Sequence, residues 1–273
     1  MPTVRLYIIR HGETHENRVG IIQGHMDTQL NEQGISQAAV VAATMEKAPL
    51  TDAWSSDLQR AVKTAEIIIE KHPGLRLVST KKLRERGLGH LEGKHHTEKR
   101  KLLSQFPGGV DPAAEGVGAM HERLMNWWDT EVLGLTKTPV PSRTGPASGH
   151  SSNDVAQQES TTADTHHVLV VSHGGFIGSL VNRLIETGRI SSGRTQPLRG
   201  SDFICFNTSI TTVDVDEEGR GNLVKYGDIS HMLQAVKEGK VLDRNVDVPL
   251  EGRKAESGEW VAEPRQSLAV DRS

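Results

Sequence analysis

Two histidines stand at the ends of apolar, β-rich runs, and each is followed by glycine. The first lies in Ile8-Ile9-Arg10-His11-Gly12-Glu13-Thr14 and the second, far downstream, in Val170-Val171-Ser172-His173-Gly174-Gly175. Ligands of open parallel sheets bind at the carboxyl ends of the strands, so both imidazoles can face one crevice. A single histidine in such a place is more often structural than functional, and the arginines decide the matter. Arg10 directly precedes His11. Arg60 sits in Ser55-Ser56-Asp57-Leu58-Gln59-Arg60-Ala61, just after a short strand and near the start of a helical pattern. A guanidinium there can reach the same crevice, close to the positive end of the helix dipole. Two arginines and two histidines around one point would repel in a structural core. They suit a dianionic phosphoryl group, whose oxygens accept forked, charge-assisted hydrogen bonds. The run Leu83-Arg84-Glu85-Arg86-Gly87-Leu88-Gly89-His90-Leu91-Glu92-Gly93 adds carboxylates, one of which could act as general acid toward a leaving oxygen.

The elements that must position these groups follow from periodicity and punctuation. Val4 to Ile9 reads as a strand. Asn31 is a plausible N-cap for a helix with Ile35, Ala38, Ala39, Ala42 and Met45 at helical spacing, and Pro49 stops the run. Thr51 to Ser55 is a short strand, and a second helix from Asp57 carries Leu58, Ala61, Val62, Ala65 and Ile68. Arg76 to Ser79 is another strand; a charged helical segment follows Gly93, and a longer helix runs from about Glu115 to Leu133. His167 to Ser172 is the clearest buried strand and runs into a helix through Phe176, Ile177, Leu180, Val181 and Leu184. Ile204 to Val215 and Asn222 to Tyr226 read as two late strands. Strands alternating with helices predict an α/β sandwich with a mostly parallel central sheet.

Composition bounds the rest. The chain has 273 residues, of which 35% are apolar; its 27 glycines bring the apolar share to about 45%, the low edge of the globular range. Residues 136–166 are rich in Ser, Thr, Pro and Gly, with Val140, Ala147, Val155, Ala156 and Ala163 as the apolar exceptions. That segment cannot bury enough surface to offset ordering, and reads as a flexible insertion in a single domain spanning 1–273. Residues 245–273 read as a polar tail. A net charge of −3 argues against a nucleic-acid binder held by a global basic field. No apolar run reaches the ~18–20 residues that span a bilayer, and Arg10 and Glu13 come too early for a signal peptide. A soluble, cytoplasmic protein without a membrane partner is expected. The single cysteine, Cys205, lies in an apolar run and reads as a small buried hydrophobe; it excludes an internal disulfide and a cysteine-rich zinc site. The pairs His95-His96 and His166-His167 read as surface residues, with no metal site.

Taken in order, Arg10-His11-Gly12-Glu13-Thr14 with Asn17, Gln23-Gly24, Leu30-Asn31, Ser55-Asp57-Arg60-Ala61-Thr64-Ala65, Leu83-Glu85-Gly89-Glu92-Gly93 and Ser172-His173-Gly174-Gly175 form a set that resembles the histidine phosphatase superfamily. Its phosphoglycerate-mutase-like and fructose-2,6-bisphosphatase-like branch is the nearest. The resemblance spans roughly residues 3–100 and 167–228, and implies a three-layer α/β/α sandwich. It also implies roles. His11 resembles the nucleophile that becomes a transient phosphohistidine, and Arg10, Arg60 and His173 resemble the clamp on the phosphoryl oxygens. Glu85, ahead of Glu92, resembles the proton donor. Asn17, Gln23, Gly24 and Gly174 resemble the residues that line the substrate pocket. Neither metal nor cofactor is implied, because arginines neutralise the phosphate. Glu13 belongs to the motif, yet a loop carboxylate paired with a nearby arginine explains it as well. The basic cluster Lys94, His95, His96, Lys99, Arg100 and Lys101 reads as a solvated helix face, with a contact to a second substrate anion as its alternative.

The proton-donor loop lacks the Asn- and Tyr-containing pattern of cofactor-dependent phosphoglycerate mutases, and Thr14 fits the phosphatases. The expected reaction is hydrolysis of a small phosphomonoester, a sugar phosphate or phosphoglycerate-type metabolite. A cofactor-dependent phosphoglycerate mutase is the alternative. A weakly active phosphate-binding or scaffold protein is a second alternative, which the intact set Arg10, His11, Arg60, Glu85 and His173 opposes.

Overall fold

The computed structural model describes residues 3–140, 165–192 and 204–239. Its strands are β1 (Val4–Arg10), β2 (Asp52–Ser56), β3 (Leu77–Thr80), β4 (His166–Ser172), β5 (Ile190–Ser191), β6 (Ile210–Val215) and β7 (Gly221–Asp228). The helices are α1 (His15–Arg18), α2 (Glu32–Met45), α3 (Gln59–Ile69), α4 (Lys99–Leu103), α5 (Val117–Trp127), α6 (Leu133–Leu135), α7 (Gly174–Glu186) and α8 (Ser230–Lys237). One π-helical turn, Trp128–Val132, joins α5 to α6.

The strands form one seven-stranded sheet in the order β3-β2-β4-β1-β6-β7-β5. Pairing is parallel for β1 with β4, β2 with β3 and with β4, and β5 with β7; β6 runs antiparallel to both neighbours. Alternation along the central strands feeds two cores. Val4, Leu6 and Ile8 of β1 join Val168 and Val170 of β4 on the face covered by α5 and α7, where Trp127, Leu124, Phe176 and Leu180 are buried. Ile9, Leu169 and Val171 point to the other face, against Val41 and Ala42 of α2 and Ala61, Ala65 and Ile68 of α3. A side-chain period of two thus produces the expected three-layer sandwich.

The register sets the site. Ile9 lies opposite Val171 and Arg10 opposite Ser172, so both His-Gly pairs leave the sheet side by side at the carboxyl ends of adjacent central strands. Ser55 of β2 lies opposite Val171 from the other side, which brings the start of α3, and Arg60 with it, to the same edge.

Several details differ from the sequence reading. Asn31 does cap α2, its side chain accepting from the Gly34 amide, but Ile35 is 47% exposed. Ala39 is exposed too, whereas Ala38, Ala42 and Met45 are buried as expected and Gly34 and Gln37 join them, because the first turn of α2 lies against the Gly12-Glu13 backbone. A Cβ on Gly12 would meet the Gly34 carbonyl oxygen at 2.5 Å. The strand expected from Ile204 begins only at Ile210: Thr208 has φ 57°, and the chain turns there rather than extending. Of the expected insertion at 136–166, residues 141–164 lie outside the described residues, as does the tail at 245–273. His166 belongs to β4, not to the insertion, and is no surface residue. It is 3% exposed, paired with Asp52 at 3.2 Å and with the Thr138 carbonyl at 3.1 Å. His167 stacks on Tyr7, and burial pushes its imidazole below the ordinary value. No helix among the described residues is long and apolar enough to cross a membrane.

Candidate active site

The strand ends form the floor of a cavity of about 700 Å3, within the range typical of small-molecule sites. His11 lies at its base, 3% exposed. The His11 amide donates to the Ser172 carbonyl at 3.0 Å, and its Nδ1 lies 2.7 Å from the carbonyl of Gly12. A carbonyl only accepts, so Nδ1 carries the proton and Nε2 keeps its lone pair. Burial, then the charges of Arg60 and Arg10, hold this imidazole well below its ordinary value. The ring is neutral near pH 7, as a nucleophile must be. The Gly12 amide donates to Thr64 Oγ1 at 3.0 Å, which fixes the next peptide.

His173 is 1% exposed, with its ring centroid 5.1 Å from that of His11. Arg60 Nε donates to His173 Nδ1 at 3.3 Å, so the proton of this neutral imidazole sits on Nε2. That Nε2 is buried and meets no acceptor among the described residues. A buried N–H without a partner is costly, and a ligand oxygen would satisfy it. Burial, then the charges of Arg60 and Arg10, keep His173 neutral as well.

Arg60 is itself 1% exposed, and its remaining donors hold the loop before α2. Nη2 donates to the carbonyl of Gly24 at 2.9 Å, and Nη1 to that of Met26 at 2.6 Å. Burial lowers this guanidinium to about 10, which leaves it cationic near pH 7. Arg10 Nη1 donates to the Cys205 carbonyl at 2.8 Å.

Glu85 enters from the loop after β3. Its Oε2 accepts from the Gly175 amide at 2.8 Å and its Oε1 from the Arg86 amide at 2.8 Å. The contact demands glycine: a Cβ at position 175 would sit 2.5 Å from Oε1. Arg123 of α5 underpins this loop, donating to the carbonyls of Lys82 and Arg84, both at 2.9 Å, and pairing with Glu115 at 2.8 Å.

All the residues singled out in the sequence for the phosphate pocket line this one cavity: Arg10, His11, Arg60, Glu85 and His173, with Asn17, Gln23, Gly24 and Gly174. Gln23 is also tied to Thr28, whose hydroxyl donates to it at 2.6 Å. The arrangement gathers cations, one neutral nucleophilic nitrogen, one buried N–H and one carboxylate around space for a phosphoryl group.

The family profile of the histidine phosphatase superfamily (branch 1) matches residues 6–137. A probable phosphatase of Schizosaccharomyces pombe, C1687.21, is 31% identical over 239 residues, which is 88% of this chain and 100% of that protein. The chain belongs to the histidine phosphatase superfamily. Among other members, the mouse (Mus musculus) fructose-2,6-bisphosphatase TIGAR is 30% identical over 246 residues, covering 81% of this chain and 91% of its own. The solved structure of a phosphoserine phosphatase from Entamoeba histolytica, in complex with 3-phosphoglyceric acid, matches with TM-score 0.58 at 26% identity. That match covers 84% of this chain and 99% of the other. As a member of this superfamily with phosphatase relatives over most of its length, the protein is a phosphohydrolase. The family profile ends before His173, which the β1–β4 register supplies.

Some sequence candidates fall elsewhere. Glu13 is 1% exposed and takes Arg18 Nε at 2.9 Å and Asn31 Nδ2 at 2.7 Å, so it braces the loop. Glu92 accepts the amides of Leu88 at 2.8 Å and His25 at 2.9 Å, which staples the loop, and it does not line the cavity. Of the basic cluster, only Lys99 lines the cavity. Sequence reasoning missed Arg86 and Leu88, although both neighbour Glu85, and it missed Met120 and Arg123, for which a long helix carries no local signal. The run Asn207-Thr208-Ser209, which resembles a late family segment near the second histidine and reads equally well as a turn into the next strand, lies against Arg10 and His11.

Proposed function

We propose that this enzyme hydrolyses a small phosphomonoester, a sugar phosphate or phosphoglycerate-type metabolite, through a phosphohistidine on His11. The observation that carries the reading is the Nδ1 bond of His11 to the Gly12 carbonyl, which leaves Nε2 unprotonated beside Arg10, Arg60 and His173. The phosphoryl oxygens take the guanidinium of Arg10, the charge of Arg60 and the buried Nε2–H of His173. Nε2 of His11 attacks phosphorus in line, and the bond from phosphorus to the ester oxygen breaks. Charge that develops on the oxygens meets fixed, preorganised donors. Glu85, in its protonated form, gives its proton to the leaving oxygen, which departs as the alcohol. The Glu85 carboxylate then takes a proton from water as that water attacks the phosphohistidine. The P–N bond breaks, inorganic phosphate leaves, and His11 is restored.

The relatives named for fructose-2,6-bisphosphate and phosphoserine support the substrate class, and the charge of the pocket suits a dianion. A lone cysteine and a metabolite substrate are in keeping with the reducing cytoplasm, where we place the reaction.

The test is a turnover screen across phosphorylated metabolites, with and without 2,3-bisphosphoglycerate, on the wild type and His11→Ala. Hydrolysis without that cofactor, lost by more than about a thousandfold in the folded His11→Ala variant, is the expected result. Isomerisation of phosphoglycerate that depends on the cofactor would make the protein a mutase. Undiminished hydrolysis by His11→Ala would remove the phosphohistidine.

A further inference from the structure

The segment that precedes β6 does not merely lead into a strand. From Cys205 to Ser209 it wraps the Arg10-His11 pair. The Cys205 carbonyl accepts Arg10 Nη1 at 2.8 Å, the Thr208 amide donates to the Arg10 carbonyl at 3.0 Å, and the Arg10 amide donates to the Ser209 carbonyl at 3.3 Å. Asn207 completes the wrap: its Nδ2 donates to the His11 carbonyl at 2.9 Å and lies 3.5 Å from Asn17 Oδ1.

Two features mark this turn as more than a connection. Thr208 is a buried, β-branched residue at φ 57°, in the left-handed region that such residues avoid. Strain of that kind persists only where the surroundings over-determine it, and it gathers at functional sites. Here the left-handed residue lets the 208 amide reach Arg10 while the 207 side chain reaches His11. In addition, the orientation of the Asn207 carboxamide is fixed by chemistry. The His11 carbonyl can only accept, and Asn17 Oδ1 already accepts from the Thr14 amide at 3.2 Å. The group facing both must therefore be the NH2 of Asn207. With its Oδ1 engaged, Asn17, which lines the cavity, has its own NH2 left for a ligand.

We infer that Asn207 is a positioning residue for the phosphoryl-transfer step. It holds the backbone carbonyl of the nucleophile and orients the carboxamide of Asn17, and the left-handed turn at Thr208 sets it in place. The inference rests on the His11 reading above. It adds a residue that touches neither phosphorus nor the leaving group.

The experiment compares wild type with Asn207→Ala and the isosteric Asn207→Asp. Single-turnover phosphorylation of His11 and steady-state hydrolysis are followed between pH 5 and 8, with thermal midpoints as the check on folding. By analogy with outer-shell groups that orient metal ligands, losing such a positioning contact is expected to cost on the order of 10–100-fold. The expected result is a loss of that size in kcat and in the rate of phosphohistidine formation, with KM changed less than about threefold. The two variants should separate with pH. In Asn207→Asp the introduced carboxyl, once protonated, can again donate to the His11 carbonyl. Its deficit should therefore shrink toward pH 5, while that of Asn207→Ala stays flat relative to wild type. Wild-type turnover within twofold in either folded variant would overturn the proposal. So would a deficit of equal size in both variants at every pH, or failure of both to fold, since each assigns Asn207 to structure alone. A wild type with no turnover, or with turnover indifferent to His11→Ala, would instead sink the reading on which the proposal rests.

Discussion

Arg60 Nε donates to His173 Nδ1 at 3.3 Å, and both side chains are buried. This one bond couples the two kinds of group that define the pocket. It keeps the His173 proton on Nε2, the buried nitrogen with no acceptor among the described residues. The same guanidinium anchors the loop carbonyls of Gly24 and Met26, so Arg60 builds the wall of the site as well as charging it.

Arg60→Lys therefore tests geometry at constant charge. An ammonium cannot serve His173, Gly24 and Met26 together, and it lacks the planar fork that suits phosphate. The expected outcome is a fall in kcat/KM of about 10²–10³, comparable to removing one preorganised transition-state donor. Steady-state kinetics check it. A variant within threefold of wild type would show that charge alone is needed at this position.

The pH dependence of stability follows from the two buried histidines. Burial and the neighbouring arginines depress both folded-state values, while the unfolded chain titrates near 6.5. Above that value both states are neutral and the pair adds no pH dependence. As pH falls below about 6.5 the unfolded state binds protons that the folded state refuses, so stability declines toward the folded-state values. Each histidine can contribute at most about 1.4 kcal/mol per pH unit within that window. Urea denaturation at pH 7.5, 6.5 and 5.5 should show a steeper decline for wild type than for the His11→Gln/His173→Gln double variant. Equal slopes would mean that the imidazoles are protonated in the folded protein.

Much of this site is legible in the sequence because its parts sit where a strand or helix begins or ends. Apolar runs ending at Arg10-His11 and Ser172-His173 announce strand ends, and the step from β2 into α3 announces Arg60. What joins them is the register, Arg10 opposite Ser172, which no local pattern encodes. The same limit hides Arg123, whose partners are carbonyls some forty residues away along the chain. For another reason Asn207 is only half legible, its run reading equally as a family segment near the second histidine and as a plain turn. Apolar residues from Phe203 to Phe206 extend the strand pattern of β6 backward, whereas hydrogen bonds to Arg10 and His11 impose a turn that β propensity at Thr208 opposes. Ile35 shows the converse: the helical period places it inward, but close approach of the Gly34 backbone to the Gly12-Glu13 loop rotates the helix and leaves it exposed.

The acid can be tested from its neighbour as well as directly. Glu85 is held by the Gly175 amide at 2.8 Å, and a methyl group at position 175 would lie 2.5 Å from Oε1. Gly175→Ala must then displace the carboxylate, because the amide at the start of α7 cannot move without its helix. Glu85→Gln leaves the shape and removes the transferable proton. A general acid contributes about 10²–10⁴-fold when the leaving group is a poor one, and little when the leaving oxygen is already stable as an anion. Both variants should therefore lose about that factor on an alkyl phosphate and less than about tenfold on p-nitrophenyl phosphate. The ratio of the two rates, measured for each variant, isolates proton donation from binding. Equal losses on both substrates would relieve Glu85 of the acid role and leave it as a brace for the loop between β3 and α4.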